Sequence, residues 1–276
     1  MNPIEYATLA EVEESYWWHI GRRSILSGQI KELFSGRRDL TILNVGSGTG
    51  GTVSLFSDYG TVLNVDRSSE AVVYMRRKGY EALQLDATKL PFEDEHFDLI
   101  AALDVLEHIE DDGLALAEWG RLLRPGGCLV LTVPAYQWLW SGHDESLNHF
   151  RRYTAPDLRK LADETALEVH KCSYAITFSF PMVVAFRFLQ KLFRPRVQRS
   201  SYVILPRWLN AFFITLLRME AVLLRICDFP FGTSVLMVLS KPLIASRHIH
   251  VDEVLQAVAG AGRSGGDHRR GAAAHV

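Results

Sequence analysis

The stretch Leu43-Asn44-Val45-Gly46-Ser47-Gly48-Thr49-Gly50-Gly51 decides the fold. It ends an apolar, β-branched run at 40–45 and opens a stretch with helical spacing at 51–58. Glycines at such a junction let the backbone turn tightly and approach a ligand without Cβ clashes. The helix that follows presents unpaired N–H groups and a partial positive charge to whatever lies in the turn. A strand, a glycine loop and a helix in this order read as a ligand loop at the edge of a sheet.

Working outward, further strands are expected at 61–65, 82–85, 97–103, 128–133 and 167–177, with a last strand-like run at 234–243. Amphipathic stretches at 51–58, 69–78, 112–123 and 155–164 fall between them. This alternation predicts an α/β fold, a parallel sheet covered by helices on both faces.

The loop by itself fits two ligands. Gly46, Gly48 and Gly51 satisfy G-x-G-x-x-G, the dinucleotide spacing, whereas Gly46, Gly48 and Gly50 satisfy G-x-G-x-G. In either case Asp66, twenty residues after Gly46 at the end of the second strand, is placed to take ribose hydroxyls. The downstream residues separate the two. Leu85-Asp86-Ala87-Thr88-Lys89-Leu90-Pro91-Phe92 is followed by Phe97-Asp98-Leu99-Ile100, by Asp104-Val105-Leu106-Glu107-His108-Ile109, and by Leu123-Arg124-Pro125-Gly126-Gly127.

This series, over residues 40–167, resembles the class I S-adenosylmethionine (SAM)-dependent methyltransferases, especially the small-molecule group, while the W-x-W…H-D…H-x-R-R-Y run from Trp138 to Tyr153 and the tryptophan-rich N-terminal segment resemble the bacterial type 11/12 group associated with lipid-linked acceptors. The resemblance implies a Rossmann-like seven-stranded sheet and SAM as cofactor. Gly46, Ser47, Gly48 and Gly50 would cradle the amino-acid end of SAM. Asp66 would hold the ribose, Asp86 with the Ala87 backbone the adenine, and Asp104 would wall the methionine end. The family usually carries an acid where this chain has Asn44. Asn still accepts a hydrogen bond but lacks the charge, a loss of ~1 kcal/mol in cofactor binding. A SAM-binding protein without catalysis is the alternative that Asn44 keeps open, and a nicotinamide oxidoreductase is the third reading.

Methyl transfer from a sulfonium needs alignment and exclusion of water, and a base when the acceptor is a hydroxyl. His108, His143 and His149 are the candidates. Asp104, Glu107 and His108 form D-x-x-E-H, similar to a cation-binding cluster in some quinone-pathway O-methyltransferases, so the metal question stays open. After the fifth strand, Trp138, Trp140, Arg151, Arg152 and Tyr153 are expected around the acceptor, with aromatics for an apolar body and arginines for an anionic group. The resemblance implies methylation at oxygen of a small-molecule or polyprenyl-linked acceptor.

Composition bounds the rest. The chain has 276 residues, 48% hydrophobic, with net charge −2. It lacks the strongly basic balance of a nucleic-acid binder. Cys128, Cys172 and Cys227 make no C-x-x-C, so neither a disulfide framework nor a zinc ribbon is expected. Glu5, Glu11, Glu13 and Glu14 make a signal peptide unexpected, and the separate cysteines make a reducing cytoplasm the expected compartment. Residues 1–38 read as a helical, acidic-aromatic segment, 39–245 as the methyltransferase domain, and 246–276 as a disordered tail.

Within the domain, 179–233 is an insert between strands six and seven where a short turn would suffice. It carries eight basic and two acidic side chains, net +6, leaving −8 on the remainder. Thr215, Arg218 and Arg225 fall on one helical stripe. The sheet direction places the insert over the site edge, as a helical lid, a dimer contact or a peripheral contact with an anionic membrane surface. The oligomeric state stays open.

Overall fold

The computed structural model describes residues 10–193 and 205–243, with backbone only at 190–193. Expectations for Glu5, Arg194, Arg196, Arg199, Tyr202, the side chains of Lys191 and Phe193, and the 246–276 tail lie outside the described residues.

Seven strands are present: β1 (Leu40–Val45), β2 (Gly60–Asp66), β3 (Ala82–Gln84), β4 (Phe97–Leu103), β5 (Leu123–Pro134), β6 (Glu168–Ala175) and β7 (Ser234–Ser240). They form one sheet in the order β3-β2-β1-β4-β5-β7-β6. All pairings are parallel except those of β7, which runs antiparallel between β5 and β6. β5 begins earlier than expected. Leu123 already pairs with Phe97, and the register shifts before Cys128 meets neither Phe97 nor Asp98 but Leu99. Arg124-Pro125-Gly126-Gly127 is therefore an irregularity inside the strand rather than a turn before it, with Gly126 at φ +78°.

The helices are α1 (Trp17–Leu33), α2 (Val53–Ser57), α3 (Ser69–Arg77), α4 (Asp112–Leu122), α5 (Gly142–Ser146), α6 (Ala155–Asp163), α7 (Phe180–Phe193) and α8 (Arg207–Leu223). Their starts follow local chemistry. The Ser68 side chain accepts from the Ala71 amide at the start of α3. Asp111 does the same for Leu114 at α4. Reciprocal capping boxes, Ser141 with Asp144 and Thr154 with Asp157, open α5 and α6.

Successive strand residues point to opposite faces, and each face has its own core. Leu43, Ile100, Leu129 and Leu131 pack with Leu116 and Trp119 of α4 and Leu158 of α6. Ile42, Leu99, Val130 and Val238 pack with Ile25, Leu26 and Ile30 of α1 and with Phe213 and Leu217 of α8. Burying one such side chain stabilises the fold by about 1.5–3 kcal/mol. Leu217 sits so close over Gly21 that a Cβ there would lie 2.1 Å from Leu217 Cδ1.

Among the described residues the insert holds two helices, one of them part of the core. α8 also anchors the start of α7 through Glu220, which is fully buried. Its two oxygens accept the Thr177 amide at 3.0 and 2.9 Å, and Oε2 accepts the Phe178 amide at 3.1 Å. Burial pushes the Glu220 carboxyl up, and those amides oppose the shift. Among the described residues no helix is long and apolar enough to cross a membrane.

Candidate active site

The glycine loop leaves β1 with three glycines in the left-handed region, Gly46 at φ +61°, Gly48 at +56° and Gly50 at +86°. Gly46 is also a close approach, since a Cβ there would lie 2.4 Å from Val105 Cγ2. The Gly48 amide donates to Asp66 Oδ2 at 2.9 Å, and Ser68 donates its amide to Oδ1 at 2.9 Å. Burial raises the Asp66 carboxyl, and these amides oppose it. Asn44 is buried beneath the loop. Its Nδ2 donates to Asn64 Oδ1 at 2.9 Å, while Asn64 Nδ2 donates to the Glu81 carbonyl at 2.8 Å. Asp86 stands at the end of the β3 segment and accepts on Oδ1 from the Thr88 amide and hydroxyl, which lower its carboxyl. The carbonyl of Ala87 accepts from Trp119 Nε1 at 3.0 Å.

A cavity of about 400 Å³ opens between this loop, the carboxyl ends of β4 and β5, α1 and α7. In open α/β sheets that edge is where ligands bind. Of the residues expected at the site, Asn44, Gly46, Ser47, Gly48, Asp104, His108, His143, His149 and Arg152 line it. Gly50, Asp66, Asp86 and Ala87 lie outside its lining, as do Trp138, Trp140, Arg151 and Tyr153. Arg151 and the Tyr153 hydroxyl both donate to Asp112 Oδ2 at 2.8 Å, which fixes the start of α4. Trp138 is 54% exposed and stacks on Tyr136.

Titratable groups gather at the inner end of the cavity. Asp104 follows β4 at φ +57°. Its Oδ2 pairs with Arg22, and its Oδ1 accepts from the Thr132 hydroxyl at 3.0 Å. Arg22 also stacks over Trp18. Glu107 lies in a single 3-10 turn, Leu106–His108, and is fully buried with no hydrogen-bond partner on either oxygen. Burial, and then the charge of Asp104, pushes its carboxyl well above the ordinary range.

The His108 and His149 rings meet edge to face with centroids 4.5 Å apart. Burial and the neighbouring His149 push His108 down to about 4. Burial and the charge of Arg187 push His143 down to about 4, and its Nδ1 is buried without a hydrogen-bond partner. Asp144 connects this cluster. It accepts from His149 Nδ1 at 3.0 Å, from Arg152 Nε at 2.7 Å and from the Ser141 amide at 2.9 Å. Burial opposes its ionisation, but the His149 hydrogen bond and the Arg152 charge outweigh that and hold the carboxyl well below the usual range.

Several lining residues carry no site signature in the sequence. Glu13, Tyr16, Trp17, Trp18, His19 and Arg22 come from the N-terminal segment, and Met182, Val183, Phe186 and Arg187 come from α7. The acidic-aromatic character of the first segment and the position of the insert were the available signals. Nothing local tied Glu13 to the glycine loop, yet its Oε1 accepts the Gly51 amide at 3.1 Å.

A family model described as a methyltransferase domain matches residues 43–131. A Mycolicibacterium smegmatis protein named "Probable S-adenosylmethionine-dependent methyltransferase" is 28% identical over 163 residues, 57% of this chain and 61% of that protein. A demethylmenaquinone methyltransferase of Chlorobaculum tepidum is 29% identical over 125 residues, 44% of this chain and 50% of that protein. The chain thus spans about half to three-fifths of these relatives. The solved structure of a SAM-dependent methyltransferase from Archaeoglobus fulgidus superposes with a TM-score of 0.52 at 13% identity, covering 79% of this chain and 94% of that one.

SAM is the cofactor this family implies, and the residues present fit it. The left-handed glycine loop lines the cavity through Gly46, Ser47 and Gly48, and a Cβ at Gly46 would collide with Val105 behind it. The Asp66 carboxylate closes the end of β2 and is tied by only one amide to each oxygen. Asp104 lines the cavity beside the loop, with Oδ2 paired to Arg22 and Oδ1 accepting from Thr132. Domain match, relatives, sheet order and loop agree, and residues 43–131 form a methyltransferase domain of the class I SAM-dependent type.

Proposed function

We propose that the chain transfers a methyl group from SAM to oxygen of an apolar acceptor, small or lipid-linked, held under α7. The observation that carries this reading is that the glycine loop and three histidines line one cavity, walled by apolar side chains of the insert and beyond, Leu139, Leu147, Met182, Val183 and Phe186. A relative named for demethylmenaquinone is in keeping with an apolar acceptor.

SAM supplies an electrophilic methyl on a good leaving group. The protein has to align the acceptor, keep water out and receive a proton. Met182, Val183 and Phe186 would cover the acceptor's apolar body and exclude water. His143 is uncharged at neutral pH and presents an unpartnered Nδ1, so it would take the proton from the acceptor hydroxyl. Asp104, fixed by Arg22 and Thr132, would position the methionine end. Arg152, bound to Asp144, would hold the wall of the acceptor pocket.

A membrane-borne acceptor is supported by the outer face of α8. Trp208, Phe212, Thr215, Met219 and Val222, continued by Ile226, form one exposed stripe opposite the buried Phe213, Leu217 and Ala221. Arg207, Arg218 and Arg225 run alongside it, exposed, and the acid of this helix, Glu220, points inward. An apolar ridge edged with arginines suits an anionic lipid surface.

Methyl-tritiated SAM incubated with envelope-lipid extract from a deletion strain tests the function. Label should enter the organic phase with the wild-type chain and be lost with His143→Asn. SAM binding without any incorporation would favour a non-catalytic SAM-binding role.

A further inference from the structure

Glu107 is the one carboxyl among the described residues with both oxygens buried and without a hydrogen-bond partner. It is 0% exposed, and neither oxygen has a hydrogen-bond partner. A buried carboxylate left unmet costs several kcal/mol unless something compensates it. Two imidazoles stand beside it. One ligand atom each from Glu107, His108 and His149 can be chosen so that all lie within 4.8 Å of one another, and all three residues line the cavity.

The His149 ring is held from behind. His149 gives Nδ1 to Asp144 Oδ1 at 3.0 Å, which leaves Nε2 for a second partner. Asp144 is in turn locked by Arg152 and by the Ser141 cap of α5. The Asn148 backbone near the His108 ring favours its protonated form, a small effect against burial. A carboxylate behind an imidazole is the arrangement that orients histidine ligands at metal sites.

We propose that Glu107, His108 and His149 bind a divalent cation, with Asp144 as the carboxylate that orients His149. One carboxylate and two imidazoles suit zinc, manganese, iron(II) or cobalt(II) better than the all-oxygen preference of calcium. Ligand atoms about an ion with ~2.1 Å bonds lie roughly 3–4 Å apart, so the three side chains close slightly on binding. Three protein ligands would leave coordination positions open at the cavity that these residues line. An acceptor hydroxyl bound there would become more acidic, and its proton would pass to a base such as His143. Asp104, the first member of D-x-x-E-H, is not a ligand: Arg22 and Thr132 occupy its oxygens. His149 takes the third place from 41 residues downstream of His108.

The inference deepens the methyltransfer reading, but its test is binding and does not need an acceptor. Untagged full-length protein is stripped with a chelator, dialysed, and titrated calorimetrically with zinc, manganese and cobalt(II), with cobalt absorption as a second readout. One ion per chain is expected, with a visible cobalt band from nitrogen coordination. Glu107→Gln and His149→Ala should abolish it, and Asp144→Asn should weaken it about 10–100-fold. Circular dichroism and thermal melts show which variants are folded, and the isosteric Glu107→Gln keeps the test open if His149→Ala unfolds. Absence of binding for all three ions, or binding undiminished in a folded Glu107→Gln, overturns the proposal and leaves Glu107 as a buried neutral acid. Binding lost from Glu107→Gln and His149→Ala while methyl transfer persists would separate the ion from the reaction and overturn its catalytic role.

Discussion

Glu13 reaches across from the N-terminal segment and accepts the Gly51 amide at 3.1 Å, while its other oxygen lies 3.7 Å from Lys78 Nζ. A Cβ on Gly51 would fall 2.3 Å from Glu13 Cδ, so the two residues are fitted to each other. The glycine loop is therefore completed by a residue that precedes the sheet.

Replacing Glu13 with Ala should strand the Gly51 amide and loosen the loop. A cost of about 1–3 kcal/mol in stability is expected, together with weaker SAM binding. Urea melts and titration of SAM into wild type and variant check both.

Gly46→Ala should be more damaging at the site than elsewhere in the loop. It combines φ +61° with a Cβ 2.4 Å from Val105. Loss of roughly 2–3 kcal/mol is expected from strain and collision. Val105→Ala in the same chain should restore part of it, measured by thermal melts with and without SAM.

Asn44→Asp restores the acid the family usually carries, yet it should not tighten SAM binding here. The Asn44 amide donates to Asn64 Oδ1, and Asn64 is held by Glu81. A carboxylate at 44 would face that oxygen and leave it unmet, at about 1–3 kcal/mol. A lower urea midpoint with unimproved SAM affinity is the expected outcome.

His19 should give stability a dependence on pH. Burial, then Arg22 and Arg23, push it down to about 3 from an ordinary 6.5. The unfolded chain binds this proton below about pH 6.5 and the folded chain does not. Stability from this residue is thus full above that pH and falls as the pH drops from 6.5 toward 3. His19→Gln should flatten the slope by up to ~1.4 kcal/mol per pH unit in that range, read from urea melts at pH 4.5, 5.5 and 7.5.

The exposed stripe of α8 gives a fifth prediction. The wild-type chain should sediment with vesicles containing anionic lipid at low salt, and a Trp208→Asp, Met219→Asp double variant should not. No sedimentation of wild type would remove the membrane reading and leave the transfer chemistry untouched.

Much of the fold was legible because its determinants are local. The strand-loop-helix run at 40–58 and the alternation after it need only pattern and spacing. The start of β5 is not legible locally, because Leu123 pairs with Phe97 before the register shifts, a long-range fact. The acceptor wall was harder for the same reason. Arg151, Arg152 and Tyr153 are adjacent in sequence, but only Arg152 lines the cavity; its neighbours are drawn to Asp112 on α4. Likewise D-x-x-E-H puts Asp104 beside Glu107 in sequence, while the fold pairs Asp104 with Arg22 and brings His149 to Glu107 instead.

The central claim is that the cavity beside the glycine loop is a SAM site. Calorimetric titration of SAM into the full chain and into Gly46→Val tests it most directly. Saturable binding of one SAM per wild-type chain, lost in a Gly46→Val chain that remains folded, is the result predicted. No heat of binding to the wild-type chain, or equal binding by the folded variant, would contradict it.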